Sequence, residues 1–186
     1  MSDIFAGMIL VFLNINLDIG NMRVGLIPDF FGYYFMLKGL EEVAGYSERF
    51  GKIIPVVKGM VVYSVIVYAF ALFGGATSVD LQYLYTPAGL GMLVMGIIAT
   101  ALSIFVSYNI VMGIKDIELA WGQDLDTVRL YSTWKVLVVF TGITHFTLIL
   151  HIAPFAVVSM VVGFIVQIFY LVAFNRTRKL YYVHKT

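Results

Sequence analysis

The chain has 186 residues, of which 61% are hydrophobic and only 12% are charged, and its formal net charge is +1. A soluble domain carries about 25% charged residues, so this composition predicts a membrane protein. The small net charge and the lack of a basic arm make nucleic acid an unexpected partner. The absence of cysteine excludes disulfides, thiol catalysis and cysteine metal sites.

The apolar runs predict an all-α fold, with residues 1–186 forming a single integral membrane domain. A helix needs about 20 apolar residues to cross the hydrocarbon core of a bilayer, so we expect a polytopic bundle of about six transmembrane helices. Because no lysine or arginine precedes Arg23, we do not expect a signal peptide at the start. The predicted spans are 4–20, 26–44, 53–74, 88–112, 132–150 and 153–175.

The first two predicted spans are short or interrupted by polar residues. About 16 uninterrupted residues make a helix of roughly 24 Å, which is less than the ~30 Å hydrocarbon core. These segments either cross with local thinning of the bilayer or form a re-entrant hairpin buried against the other helices. Both alternatives leave the remaining spans in the same orientation.

Lysine and arginine segregate to one side of this six-span arrangement, and only Arg23 falls on the other side. Basic residues accumulate in cytoplasmic loops, so the pattern predicts a multi-pass protein of the cell membrane with both termini in the cytoplasm. The loop at 75–87 carries Asp80 and no basic residue, as expected of an external loop. The basic residues on the predicted cytoplasmic side are Lys38, Arg49, Lys52, Lys58, Lys115, Arg129, Lys135, Arg176, Arg178, Lys179 and Lys185.

A cluster of polar and charged residues at 14–29 lies between the first two apolar segments. Ionisable groups inside a membrane are costly and are functional candidates by default. Asp18 and Asp29 could bind a cation or accept protons, and Arg23 could pair with either acid or bind an anionic group. The alternative is structural: Asp29 would complement a helix dipole, Asp18 would face interfacial water, and Arg23 would form a salt bridge. The candidate ligand-binding residues are Asn14, Asn16, Asp18, Asn21, Arg23, Asp29 and His145.

Part of this cluster carries a resemblance. The stretch Leu26-Ile27-Pro28-Asp29-Phe30-Phe31-Gly32-Tyr33-Tyr34, followed by Lys38-Gly39-Leu40, is similar to a pattern near the start of uncharacterised small multi-span membrane proteins of Gram-positive bacteria. The resemblance implies a similar length and hydropathy, and it brings no activity with it.

Span five contains His145, with His151 just beyond its end. A histidine here could belong to a proton relay or a metal site, or it could bond a neighbouring helix or a backbone carbonyl. The two histidines are six residues apart and no His-Glu-x-x-His pattern occurs, so we predict no metal and no cofactor. In the loop before this span, Asp126 is a predicted helix N-cap.

The leading functional hypothesis is a non-enzymatic protein that binds or transports a small solute or ion through a polar site near the external face. A second hypothesis is a non-catalytic subunit or scaffold of a membrane complex, since small residues such as Ser103, Ser107 and Gly163 favour close helix packing. A third is an intramembrane enzyme that uses His145. The expected partners are the lipid bilayer, a small solute or ion, and a membrane protein or a second copy of the chain.

Overall fold

The computed structural model describes residues 1–13, 16–19, 22–25, 28–73, 87–150 and 153–185. In these ranges the chain is mainly helical, as predicted, with six α-helices, one 3-10 turn and two short strands. The elements are α1 (Ser2–Leu13), β1 (Asn16–Ile19), β2 (Met22–Gly25), α2 (Asp29–Val43), a 3-10 turn (Ala44–Tyr46), α3 (Glu48–Phe73), α4 (Pro87–Trp121), α5 (Thr127–Ile149) and α6 (Ala153–Lys185).

Three stretches of the described residues are long and apolar enough to cross a membrane: Glu48–Ala69, Val94–Trp121 and Val157–Lys185. Large apolar side chains cover their outward faces, and Val62 and Val157 are 59% and 61% exposed. Soluble monomers rarely expose apolar surface on this scale, because contact of apolar surface with water is unfavourable in free energy. The chain is therefore a membrane protein.

The first helix is shorter than the predicted span 4–20. It ends at Leu13, and Asn16–Ile19 pairs in antiparallel register with Met22–Gly25 as a β-hairpin. The helical prediction beyond Leu13 was wrong for a physical reason. Polar and apolar residues alternate along both strands, which is the strand period, and asparagine and aspartate are poor helix formers.

The other helices match their predicted spans in position but differ in length. The helix α2 lies within 26–44, whereas α4 continues past 112 to Trp121 and α6 continues past 175 to Lys185. A hydropathy profile detects only the apolar part of a helix. Both α4 and α6 continue beyond that part through more polar residues that favour helix in water. Gly122 follows α4 with a φ of 63°, the left-handed conformation that commonly ends a helix.

Helices adjacent in sequence pack against one another, and α6 packs back against α1. Contacts between the chain ends define one end of the molecule. The amino group of Met1 lies 3.4 Å from Glu42, the Ser2 amide donates to the Tyr182 hydroxyl at 3.2 Å, and Lys185 lies 3.6 Å from Glu42. We call this end, which contains both chain ends and the end of α2, the ionic end.

Further ion pairs of the described residues join helices at or near the ionic end. They are Lys38–Asp3, Lys58–Glu41, Arg49–Asp116 and Arg176–Asp126. Exposed pairs of this kind contribute little stability individually, about 0–1 kcal/mol. Because these pairs lie together, the molecule has a charged end and an apolar body, as expected for a protein that is partly embedded in lipid.

A close approach between α1 and α2 depends on glycine. A Cβ atom added to Gly7 would lie 2.4 Å from the carbonyl oxygen of Gly32 and 2.7 Å from the backbone nitrogen of Met36. A Cβ atom added to Gly39 would lie 2.5 Å from the backbone nitrogen of Ile4. Small residues allow such contact between helix backbones in membranes. The sequence analysis did not identify this pair of helices as glycine-packed.

The start of α5 is capped from α4. The Glu118 carboxylate accepts hydrogen bonds from the backbone N–H of Leu125 at 2.8 Å, the N–H of Thr127 at 3.2 Å and the Thr127 hydroxyl at 2.6 Å. Asp126 does precede the helix, as predicted, but its side chain pairs with Arg176 at 2.9 Å. The acceptor for this helix start is therefore a glutamate nine residues before Thr127.

We expect Gly7→Ala to lower the thermal unfolding midpoint in detergent, because the added methyl group meets α2 backbone and forces the helices apart. Overpacking of this kind costs about 1–3 kcal/mol. Gly163→Ala is the matched control, since a Cβ atom there meets nothing within 4 Å. It should leave stability unchanged or raise it by up to about 1 kcal/mol. Equal effects of the two variants would contradict the close-packing assignment.

We expect Glu118→Ala to cost about 1 kcal/mol, because it removes the acceptor for three donors at the start of α5. The unfolding midpoint should fall by about 2–4 °C. Glu48→Ala is the control, because the Glu48 side chain is 90% exposed. A midpoint for Glu118→Ala equal to that of the control would show that the cap does not stabilise the helix.

Candidate functional site

The predicted site residues of the hairpin are only partly described. Asn14 and Asn21 lie outside the described residues. In the hairpin register, the Cα atoms of Asp18 and Arg23 are partners, and Asn16 is the partner of Gly25. The register therefore places the backbone of Asp18 opposite that of Arg23.

Asp29 is the first residue of α2, directly after Pro28. Its carboxyl group is half-buried, and its Oδ1 atom is inaccessible and has no hydrogen-bond partner within the described chain. The partial positive charge of the helix start favours an acid at this position. A buried acceptor without a donor still costs about 1–3 kcal/mol. Among the described residues, Asp29 therefore keeps a buried acceptor without a donor.

Tyr33 lies one helical turn after Asp29 on α2, and it lines a small cavity together with Ser103 of α4. A cavity of about 10 Å³ lies beside it between α1, α2 and α4, and its polar lining is Tyr33, Ser103 and Ser107. That volume holds at most one water molecule. Asp29 is not among the residues that line this cavity.

His145 contacts α4 one turn away from Ser103. Its Nδ1 atom lies 2.8 Å from the carbonyl oxygen of Thr141, and its Nε2 atom lies 3.2 Å from the Thr100 hydroxyl. The Thr100 hydroxyl also lies within donating distance, 2.9 Å, of the Gly96 carbonyl oxygen. A carbonyl oxygen only accepts, so Nδ1 carries the proton in the Thr141 bond. Nε2 is left to exchange a proton with Thr100.

One face of α4 therefore joins the groups of α2 and α5. Thr100, Ser103 and Ser107, which we call the hydroxyl row, are spaced by three and four residues and share that face. Tyr33 approaches the row from α2, while His145 approaches from α5 and the Trp134 indole donates to Ser107 at 3.0 Å. His145 borders this row, whereas no hydrogen bond or ion pair of the described residues joins Asp29 to the row or to His145.

Sequence reasoning missed Thr100 and Tyr33. It assigned Ser103 and Ser107 to helix packing alone. Two periodic signals were available: the hydroxyl spacing on α4, and the four-residue interval that sets Tyr33 one turn after Asp29.

The arrangement gives no support to a serine nucleophile activated by His145. Ser107 accepts from Trp134, and the partners of the imidazole are Thr141 and Thr100. In the part of the chain that the structure describes, no group of three or more histidine, aspartate or glutamate side chains could hold a metal ion.

Comparison of the chain with protein-family models, with curated proteins and with solved structures gives no match. The resemblance carried by residues 26–40 stays a prediction.

Proposed function

We propose that this protein binds a small cation at Asp29 and moves it across part of the membrane. The observation that carries the proposal is the buried Asp29 oxygen without a hydrogen-bond partner at the start of α2. An unpaired acid at membrane depth is costly, and such groups in membrane proteins commonly belong to ion pathways.

The proposed topology is a six-helix arrangement with the ionic end in the cytoplasm. The contacts among Met1, Glu42 and Lys185 support a shared compartment for both termini, and the basic residues favour the cytoplasm. The 12 residues of α1 and 15 residues of α2 give helices of about 18 and 22 Å, both shorter than the ~30 Å core. Either a re-entrant hairpin or local thinning accommodates them. In both cases Asp29 lies about 21 Å from the end of α2, towards the external face.

The topology predicts which positions a membrane-impermeant maleimide reaches in intact cells. The chain has no cysteine, so single substitutions report one position each. Lys52→Cys and Lys185→Cys should react only after permeabilisation, and Asp80→Cys should react without it. Reaction of Lys52→Cys and Lys185→Cys on opposite sides of the membrane would overturn the arrangement.

The cation site predicts that Asp29→Asn abolishes ligand-dependent stabilisation. The unfolding midpoint in detergent would be measured with Na⁺, K⁺ or Li⁺ against choline, and across a pH series. A ligand at about 100 times its Kd should stabilise the wild type by about 2.7 kcal/mol. Without ligand, Asp29→Asn should be at least as stable as the wild type, because it removes an unpaired buried charge.

Asp3→Asn is the matched control, because Asp3 starts the neighbouring helix α1 and forms a surface ion pair with Lys38 at 3.4 Å. It should keep the full response to the cation. A wild-type response that survives Asp29→Asn would rule out Asp29 as the binding group, and a variant that is merely less stable would make its role structural.

A further inference from the structure

We infer that the seam between α4 and α5 binds the headgroup of an anionic phospholipid. The seam is the line on the surface of the molecule where these two helices meet, and its charged groups are Lys115 of α4 and Lys135 of α5, which lie beside Trp134. Both lysines are exposed, and neither pairs with a carboxylate of the described chain. This surface is separate from Asp29, so the inference does not depend on the proposed cation site.

Two hydrogen-bonded contacts fix how α4 and α5 lie against each other at this end. The Trp134 indole of α5 donates to Ser107 of α4 at 3.0 Å. The Thr127 hydroxyl, at the start of α5, donates to Glu118 of α4 at 2.6 Å. Lys115 lies between Ser107 and Glu118 along α4, so its backbone is level with the first two turns of α5.

Both lysines lie where their helix leaves the apolar layer. Residues 90–114 carry no charge, and Lys115 is the first charged residue after them. Residues 136–150 contain no lysine, arginine, aspartate or glutamate, and Lys135 directly precedes them. Charged side chains are costly in the hydrocarbon core. The first charge on each of two neighbouring helices therefore marks the level of the lipid headgroups.

Three aromatic rings line the seam beside the lysines. Tyr131 and Trp134 stack with centroids 5.7 Å apart, and Tyr108 of α4 lies 5.2 Å from Trp134. Lys115 comes two helical turns after Tyr108 and therefore shares its face of α4. The Lys135 amino group lies 5.0 Å from the centre of the Tyr131 ring. Tyrosine and tryptophan are enriched at the headgroup level of membranes, so the rings place the seam at the same depth as the lysines do.

The described chain leaves the positive charge of the seam uncompensated. Six of its lysine and arginine side chains pair with a carboxylate. Asp116 pairs with Arg49, and Glu118 caps α5, so the acids nearest in sequence are engaged elsewhere. The described basic residues without a carboxylate partner are Lys115, Arg129, Lys135, Arg178 and Lys179. Three of these five belong to α4 and α5, and a phosphate at the seam supplies the missing negative charge.

An anionic phospholipid complements this surface in polarity as well as in charge. Further along both helices the exposed side chains are apolar, among them Phe105 of α4 and Val139 and Phe146 of α5. The phosphate of the lipid bonds the lysine amino groups while its acyl chains cover this apolar strip. Basic pockets between membrane helices bind acidic headgroups in this way. A soluble anion meets the lysines but leaves the strip uncovered.

The test uses Trp134 as its reporter. The chain has two tryptophans, and Trp121 packs against Tyr181 instead, so Trp121→Phe leaves Trp134 alone. Proteoliposomes that contain brominated phosphatidylglycerol or brominated phosphatidylcholine quench the Trp134 emission, and the two quenching curves give the relative binding constant of the lipids. We expect phosphatidylglycerol to bind more strongly by about 5-fold for each lysine, or about 25-fold for both. Equal quenching by the two lipids would overturn the inference.

Two double variants in this background test the lysines. Lys115→Gln with Lys135→Gln should reduce the preference to about twofold or less, and Lys115→Arg with Lys135→Arg should keep it, because the charges remain. The matched control is Lys52→Gln with Lys58→Gln, which removes the same charge from α3, where both lysines pair with glutamates. The control should keep most of the preference. Equal losses in the glutamine variants of the two helix regions would reduce the effect to overall charge and overturn the seam as the site.

A salt series tests the same point with both lysines in place, so it does not depend on the folding of a lysine variant. Raising the ionic strength from about 0.1 M to about 1 M shortens the screening length from about 10 Å to about 3 Å. Most of the preference for phosphatidylglycerol should then disappear. A preference that is independent of salt would contradict an ionic contact.

Two further outcomes would assign the seam to another occupant. Inorganic phosphate that displaces phosphatidylglycerol at constant ionic strength would make the lysines a site for a soluble anion. Trp134 emission that neither brominated lipid quenches would mean that a second protein chain covers the seam. Either result would overturn the lipid site, and neither would change the test of Asp29.

Discussion

The structure depends on one constraint: a polar group that is surrounded by lipid and apolar side chains has no water to bond. Each such group must find its partner inside the protein. The Ser64 hydroxyl donates to the Met60 carbonyl oxygen at 2.8 Å, and the Thr144 hydroxyl donates to that of Phe140 at 2.9 Å. These bonds lie within one helix and leave its position free. The bonds of His145 and Trp134 instead cross between helices and fix how α5 stands against α4.

Five of the described residues keep a buried polar atom without a hydrogen-bond partner: Asp29, Tyr170, Asn175, Thr177 and Tyr181. Of these five, Asp29 is the one with a carboxyl group, which suggests function. The serine, threonine and tryptophan groups of the α4 face are bonded, whereas the more costly acid keeps a buried oxygen without a partner. An isolated buried acid is expected to take up a cation or a proton. The fold tolerates it because α2 begins there, and the helix start favours negative charge.

The glycine contact between α1 and α2 sets where that acid lies. Gly7 and Gly32 allow the two short helices to touch along their backbones, and the pair packs against α3 and α6 at its flanks. The ionic end fixes the other extremity of α2 through Glu42. With both contacts in place, Asp29 lies at the end of α2 away from the ionic end, and Tyr33 lies beside α4. The stability of the α1–α2 pair and the geometry of the proposed cation site thus come from the same packing.

The sequence alone determined the class of protein and most of the helix positions, because lipid exposure demands long apolar runs and basic residues avoid the external side. It also singled out Asp29 and His145, since ionisable residues in apolar runs are rare. The sequence-based prediction extended the first helix to residue 20, because the alternation of polar and apolar residues there was not recognised as a strand pattern. The strands β1 and β2 were therefore missed. Only the tertiary structure brought Tyr33 to Ser103 and Thr100 to His145. Contacts between α2, α4 and α5 depend on how helices rotate and cross, and that is decided by side-chain packing across the whole bundle.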